Sequence, residues 1–189
     1  MNKTLKTVLI VIAVLAALIL PIIGSYNSLV SLDQNVKKAE SNIDTQLQRR
    51  SDLIPNLVRT VERYASQEKE IFTDIANARS KLAGAQNIQD TANADAELSS
   101  ALSRLLVVVE RYPDLKSSQN FKDLTVNLEG TENRIAIARQ DYNTAVDAYN
   151  TKVRRFPTTI IAGMFNFDEK PYYKAAEGSK EVPKVDFTK

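Results

Sequence analysis

The chain has 189 residues, a formal net charge of +2, 25% charged residues, and neither cysteine nor histidine. That excludes disulfides, thiolate catalysis, the usual zinc sites and His-based acid–base chemistry. Its near-neutral balance also argues against non-specific nucleic-acid binding, which needs a basic face. The length allows one domain and an anchor.

Residues 1–6 form a short basic lead, with Lys3 and Lys6 in front of an apolar run from Val8 to Gly24. At about 1.5 Å per residue the run rises roughly 25 Å, near the low end for a bilayer core of about 30 Å. Lys6 can snorkel at one interface and Tyr26 can sit at the other. Residues 7–25 are therefore predicted to be a transmembrane helix. A cleaved secretory signal has the same basic start and apolar middle, and a buried core helix is the third reading. Pro21 is tolerated near a helix end. No Lys or Arg follows the run until Lys37, so the positive-inside rule puts the amino terminus in the cytoplasm and the body outside.

Residues 26–157 are predicted to be a helical bundle. Leu29, Leu32, Val36, Ala39 and Ile43 step by three and four. After Leu47 the pattern continues through Ile54, Leu57, Val61, Tyr64, Glu68, Ile71, Ile75, Ala78 and Leu82, a sustained 3.5-residue period. Gly84 offers a left-handed cap after Leu82. Pro55 has two readings. Ser51 or Asp52 caps a new helix with Pro55 in its first turn, or one long helix kinks there and carries its phase through Leu47 and Arg50. Compactness favours the break, since a helix from Tyr26 to Leu82 would be about 85 Å long.

Gln86 to Asp95 is polar and reads as a loop leading into a third helix marked by Leu98, Leu102, Leu105, Val109 and Tyr112, and ended by Pro113. The fourth helix has the cleanest seam: Phe121, Leu124, Leu128, Thr131, Ile135, Ala138, Tyr142, Ala145, Tyr149, Lys152 and Phe156, with Pro157 closing it. The expected fold is all-α, an up-and-down antiparallel four-helix bundle after the transmembrane helix. Its helices fall near Tyr26–Arg50, Pro55–Ala83, Asp90–Tyr112 and Ser118–Phe156, with a single long kinked first helix as the alternative. Residues 158–189 form a tail, apolar and aromatic from Ile160 to Phe167, then irregular through Lys170–Tyr173 and Glu177–Pro183. The apolar part is too short to span a bilayer; it packs on the bundle or touches membrane or a partner.

Several phrases resemble the LemA family of bacterial membrane proteins. They are Tyr26-Asn27, Ala39–Asp44, Gln48–Arg50 and Asp52–Val58, then Leu128–Ile135, Ala138–Tyr142, Ala148–Asn150, Phe156-Pro157 and Lys170–Tyr172. The resemblance covers about Tyr26 to Tyr173, and the loop near Gln86 to Asp95 is least like the family pattern. It implies a helical bundle carried on one amino-terminal membrane helix in the bacterial cell membrane. The family has no assigned catalytic residues, so none is carried over.

Two regions are candidate partner contacts. One is the corner of Arg49, Arg50, Asp52, Pro55 and Asn56, which reads either as a recognition surface for an acidic partner or lipid headgroups, or as a solvated helix end. The other is Phe156, Phe165, Phe167, Lys170 and Tyr172. Glu129, Glu132, Arg134 and Arg139 surround Gly130-Thr131 and form a polar layer across the bundle, or else Thr131 and Glu68 are simply polar seam positions that fix register. Tyr64, Tyr112, Tyr142 and Tyr149 are expected to fill the core with their hydroxyls at an edge. No cofactor, metal, nucleic acid or small-molecule ligand is expected; the Glu-x-x-His pattern of di-iron bundles is impossible without His. The leading expectation is a non-enzymatic, single-pass envelope protein that binds a protein partner. A ligand-sensing bundle signalling through the span is the alternative, and a hydrolase would need a carboxylate pair working alone.

Overall fold

The computed structural model describes residues 3–174, and the described chain is all helix and connecting turns. Six helices follow one another: α1 (Lys3–Glu62), α2 (Lys69–Ala83), α3 (Ile88–Val109), α4 (Pro113–Ser117), α5 (Gln119–Arg154) and α6 (Thr158–Met164). They form an all-α bundle of several packed helices. The segment Glu177–Pro183 lies outside the described residues. The helices fall into two compact units, one of residues up to Ala39 with Asp141–Lys170, the other of Glu40–Gln140 with the chain from Pro171.

The first correction concerns Pro55. The break is not found: as in the alternative reading one long first helix passes through Pro55, but it ends at Glu62 and not at Leu82. A proline inside a helix costs about 3 kcal/mol. Leu47, Ile54, Leu57 and Val61 are all buried on the same stripe, and each is worth about 1.5–3 kcal/mol. Together they outweigh the proline. Asp52 consequently caps nothing; its Oδ1 accepts from Gln48 Nε2 at 2.8 Å, one turn back along α1.

The chain turns instead over Arg63–Glu68, where no Gly or Pro marks the place. Ala65 plugs the turn, fully buried, with its N–H on the Val61 carbonyl at 3.0 Å. Glu68 accepts an ion pair from Arg111 at 2.6 Å instead of sitting in a seam, and Tyr64 is exposed. The turn shifts the helical phase, which is why the expected Tyr64 and Glu68 positions fail. Tyr142 and Tyr149 are buried as core residues and Tyr112 is half-buried.

Within the Glu40–Gln140 unit, Arg79 Nε donates to Ser51 Oγ at 2.9 Å, and ion pairs join Lys81 to Glu97 and Arg104 to Asp74. Asn120 Nδ2 reaches Thr60 Oγ1 at 3.1 Å. Between α2 and α3 the partner numbers run in opposite directions, 74 with 104 and 81 with 97, so these helices are antiparallel; α5 is antiparallel to α1 in the same way, since Thr60 meets Asn120 and Arg50 meets Glu132. The core between them comprises Ile54, Leu57, Val61, Ile75, Leu98 and Leu105, with Leu115 and Phe121 closing one end.

Two ends differ from expectation for local reasons. Gly84 closes α2 in a right-handed conformation, φ −94° and ψ 0°, its N–H bonding back to Ser80 and Lys81 carbonyls. Helix α3 starts two residues before Asp90 because Asn87 caps it, its Oδ1 accepting from Gln89 N at 3.1 Å and Asp90 N at 2.9 Å. Asp90 in the first turn adds a favourable charge at the helix amino end. Helix α5 nearly matches its expected bounds. Its buried stripe moves from Ala145 to Val146, Tyr149 and Val153, leaving Phe156 exposed. A straight helix of 3.6 residues per turn drifts from a strict seven-residue repeat.

In the unit containing the amino-terminal part of α1, the apolar run is unburied. Leu9, Val11, Leu15, Ile19 and Ile23 are each about half exposed, and Leu20 is 66% exposed. A folded soluble domain rarely exposes so long an apolar stretch. The run is long and apolar enough to cross a bilayer by length and composition, which supports a membrane-associated protein.

Candidate functional site

The Glu40–Gln140 unit, with its Pro171–Tyr173 strap, carries a buried charge cluster centred on Asp95. Asp95 sits near the start of α3, and its side chain is only 1% exposed. Arg50 from α1 donates through Nη1 to Asp95 Oδ1 at 2.8 Å and through Nη2 to Ser99 Oγ at 3.0 Å. Arg139 from α5 pairs with Asp95 Oδ2. Tyr173, on the strap beyond α6, donates its hydroxyl to the same oxygen at 2.9 Å. Glu132 Oε2 lies 3.0 Å from Arg50 Nη1 as an ion pair without hydrogen-bond alignment, and Glu132 is 43% exposed.

The charges explain the chemistry of the cluster. A lone buried carboxylate would be strongly disfavoured; two guanidiniums and one hydroxyl make it acceptable, and the partly solvated Glu132 offsets the second positive charge. Burial alone would lower the Arg139 pKa, but Asp95, Tyr173 and Glu132 together hold it above its usual value. Burial, reinforced by the Asp95 charge, pushes the Tyr173 phenol well above its ordinary range. The Arg139 guanidinium also lies 5.2 Å from the Tyr173 ring centroid, a cation–π contact. Arg50 Nε and Arg139 Nε have no hydrogen-bond acceptor among the described residues. Through Asp95 the cluster joins α1, α3, α5 and the strap at one point.

The other unit holds a second constellation. Lys170 Nζ meets Asp33 Oδ1 at 2.8 Å and lies 5.3 Å from the Tyr149 ring centroid. The Asn150 side-chain amide brackets the Lys170 backbone, its Nδ2 donating to the carbonyl at 2.9 Å and its Oδ1 accepting from the N–H at 2.8 Å. Asp33 also pairs with Lys37 at 2.9 Å. Burial raises its pKa, but Lys170 and Lys37 more than offset that and hold the carboxyl below its usual value. Phe165 and Phe167 pack their rings on Tyr26, with centroids 4.9 and 5.7 Å away. Asn166 between them takes a left-handed conformation, φ 56°, which asparagine tolerates better than most residues.

The structure therefore separates the expected contact residues. Arg50 is buried and engaged, so its guanidinium is not presented to a partner. Arg49, Asp52 and Asn56 are exposed and Pro55 is half-buried on the same helix. Phe156, Phe165 and Tyr172 are exposed, while Phe167 and Lys170 are half-buried. Of the expected polar layer, Glu132 and Arg139 join the Asp95 cluster, and Thr131 is buried with its hydroxyl on the Asn127 carbonyl at 2.8 Å. Sequence reasoning missed Asp95, Asp33, Asn150 and Tyr173. One signal for Asp95 was available: it precedes Leu98, Leu102, Leu105 and Val109 in steps of three and four, so it occupies a seam position.

A surface groove of about 620 Å³ runs between α2 and α3, lined by Asp74, Ser80, Lys81, Glu97 and Arg104. Its charges already pair across it, Lys81 with Glu97 and Arg104 with Asp74. Among the described residues no group of His, Cys, Asp or Glu is arranged to hold a metal ion.

Comparison with known proteins places this geometry in context. Magnetosome protein MamQ 2 of Paramagnetospirillum magneticum is 28% identical over 194 residues, covering 88% of this chain and 71% of its own length. Magnetosome protein MamQ of Magnetospirillum gryphiswaldense is 26% identical, covering 84% and 68%. Protein LemA of Metamycoplasma hominis is 24% identical, covering 82% and 71%. The LemA family pattern matches residues 39–187, which takes in the Asp95 cluster and Lys170 with Tyr149 and Asn150, while Asp33 lies before it. With most of its length matched, this chain belongs to the LemA family.

Proposed function

We propose that this protein is a single-pass, membrane-anchored helical bundle without enzymatic activity that serves as an interaction or scaffold protein of the bacterial cell envelope. The unburied apolar run at the start of α1 carries the reading. Family membership and the likeness to the MamQ and LemA proteins support it. Residues 7–25 form the membrane helix, 26–157 the bundle and 158–189 the tail. The amino terminus faces the cytoplasm and the bundle lies outside.

What the bundle offers is surface. The charged groups around Asp95 pair with one another, and the cluster serves register instead of turnover. Arg49, Asp52 and Asn56 present an exposed polar edge on α1 suited to a protein partner; Phe156, Phe165 and Tyr172 offer an exposed apolar and aromatic edge.

The test is protease accessibility of the tail in intact cells. Cleavage with the cytoplasm sealed supports the orientation. Protection there, with cleavage in inverted vesicles, reverses it, and release of the protein into the soluble fraction refutes the anchor.

A further inference from the structure

The unit that contains the apolar run also contains α6, and α6 exposes an apolar face. Thr158, Ile161 and Ala162 are buried, while Ile160 and Met164, four residues apart, are 56% and 68% exposed. Phe156 before the helix and Phe165 after it extend the same exposure, at 76% and 48%. This edge has a defined position. Phe165 and Phe167 stack on Tyr26, which lies two residues, or about 3 Å of helix rise, beyond Gly24 at the end of the apolar run.

We infer that α6 and its flanking rings form an interfacial lipid contact beside the point where α1 leaves the bilayer, an inference that rests on the reading of residues 8–24 as a membrane span. The run rises about 25 Å against a hydrocarbon core of about 30 Å. A short span is ordinarily accommodated by local thinning or by flanking residues. An apolar edge held at the exit of the helix supplies the missing hydrophobic surface directly. Tyr26 with Phe165 and Phe167 makes an aromatic cluster at headgroup depth, where such rings concentrate.

Charge does not drive the contact. Arg154 and Arg155 are exposed at the end of α5, but Asp168 and Glu169 lie on the segment after α6, and Arg154 Nε is 3.6 Å from Glu169 Oε1. The local balance leaves apolar burial as the attraction, in the manner of an interfacial helix. Neutral phosphatidylcholine should therefore suffice, with little dependence on salt.

The absence of tryptophan from the chain allows a direct test. Single-tryptophan variants of the full chain, Met164→Trp and Ile160→Trp, are reconstituted into phosphatidylcholine vesicles without bromine, with bromine on the acyl chains near the headgroup, and with bromine near the chain ends, the last serving the mid-span position. Val14→Trp reports the span. Lys38→Trp, exposed and about 18 Å further along α1 than Tyr26, reports the aqueous side. The expected result is loss of emission in brominated lipid for the 14, 160 and 164 positions and none for position 38, unchanged by raising the salt. If Val14→Trp is quenched and both α6 positions are not, the α6 inference fails while the span stands. If the α6 tryptophans are shielded from aqueous quencher yet untouched by bromolipid, a protein surface covers them and the inference is overturned. If Val14→Trp is not quenched, the span itself is refuted, and this inference with it.

Discussion

Replacing Asp95 by asparagine should destabilise the bundle by about 3 kcal/mol, at the lower end of the roughly 3–5 kcal/mol expected when one partner of a buried ion pair is removed. The Asp95 side chain is 1% exposed and Arg50's is 5%, so the loss leaves a buried guanidinium short of its counter-charge. Three features limit the damage. Arg50 keeps Glu132 at 3.0 Å, Arg139 is 27% exposed and can turn to water, and the asparagine Oδ1 can still accept from Tyr173. Asp95→Ala removes that acceptor too. An unsatisfied hydroxyl costs about 1–3 kcal/mol, which brings the total near 5. Glu132→Gln should cost under about 1 kcal/mol, because Glu132 is 43% exposed and exposed pairs contribute little. Urea titration of the full chain in micelles, followed by helical circular dichroism, measures all three. With a slope of about 2 kcal/mol/M, Asp95→Asn lowers the midpoint by about 1.5 M. An Asp95→Asn midpoint within error of the parent, or a Glu132→Gln loss as large, would refute the assignment of Asp95 as the hub.

The Tyr173 phenol is raised from its ordinary 10.0, so its contribution is fully present below pH 10 and is lost as pH rises through the folded value. Tyr173→Phe should lessen the alkaline fall in stability above pH 10, leaving the part due to Tyr149, which burial also raises; an unchanged alkaline slope in pH-dependent melting would rule this out. Asp33 is shifted the other way: its contribution is present above the ordinary 3.8 and is lost as pH falls through the lower folded value. Acid titration of Asp33→Asn should show a shallower loss of stability below pH 3.8; an identical profile would discount the Lys170–Asp33 pair. Asn150→Leu removes both hydrogen bonds to the Lys170 backbone, and limited proteolysis should then cut the chain near Lys170 more rapidly than in the parent. Pro55→Ala restores a backbone donor inside α1. It should stabilise by about 1–2 kcal/mol after the greater freedom of the unfolded chain is counted, and a lower urea midpoint would show that Pro55 is required by its neighbours.

Spacing by itself determined that the chain is helical, where the long seam of α5 runs and that an unbroken apolar run precedes the bundle. These are properties of local periodicity, and the seam residues from Phe121 to Tyr142 carry that signal in their own neighbourhood. The α1–α2 turn was not legible. Arg63–Glu68 has no Gly or Pro, and the reversal there is selected by burial of Ala65 and by the fit of Ile75 and Ala78 into the core with Leu57 and Val61. Pro55 misled for the complementary reason: a local breaker was overruled by a stripe of buried side chains on either side of it.

The site divided along the same line. Glu132 and Arg139 drew notice as a polar layer within one helix, yet their role depends on Asp95, 44 residues from Arg139 in sequence, and on Tyr173, 78 residues from Asp95. No local pattern encodes such separations. The seam through Leu47 and Ile54 turns Arg50 inward and leaves Arg49 in solvent, since adjacent positions on a helix point about 100° apart; that spacing was legible in the continuous-helix reading, but the partner of Arg50, Asp95, was not. In the same way, tertiary contact of Phe165 with Tyr26 decided where the apolar tail sits, since a short apolar segment has no intrinsic preference between a core and a membrane until its neighbours fix which face is left uncovered.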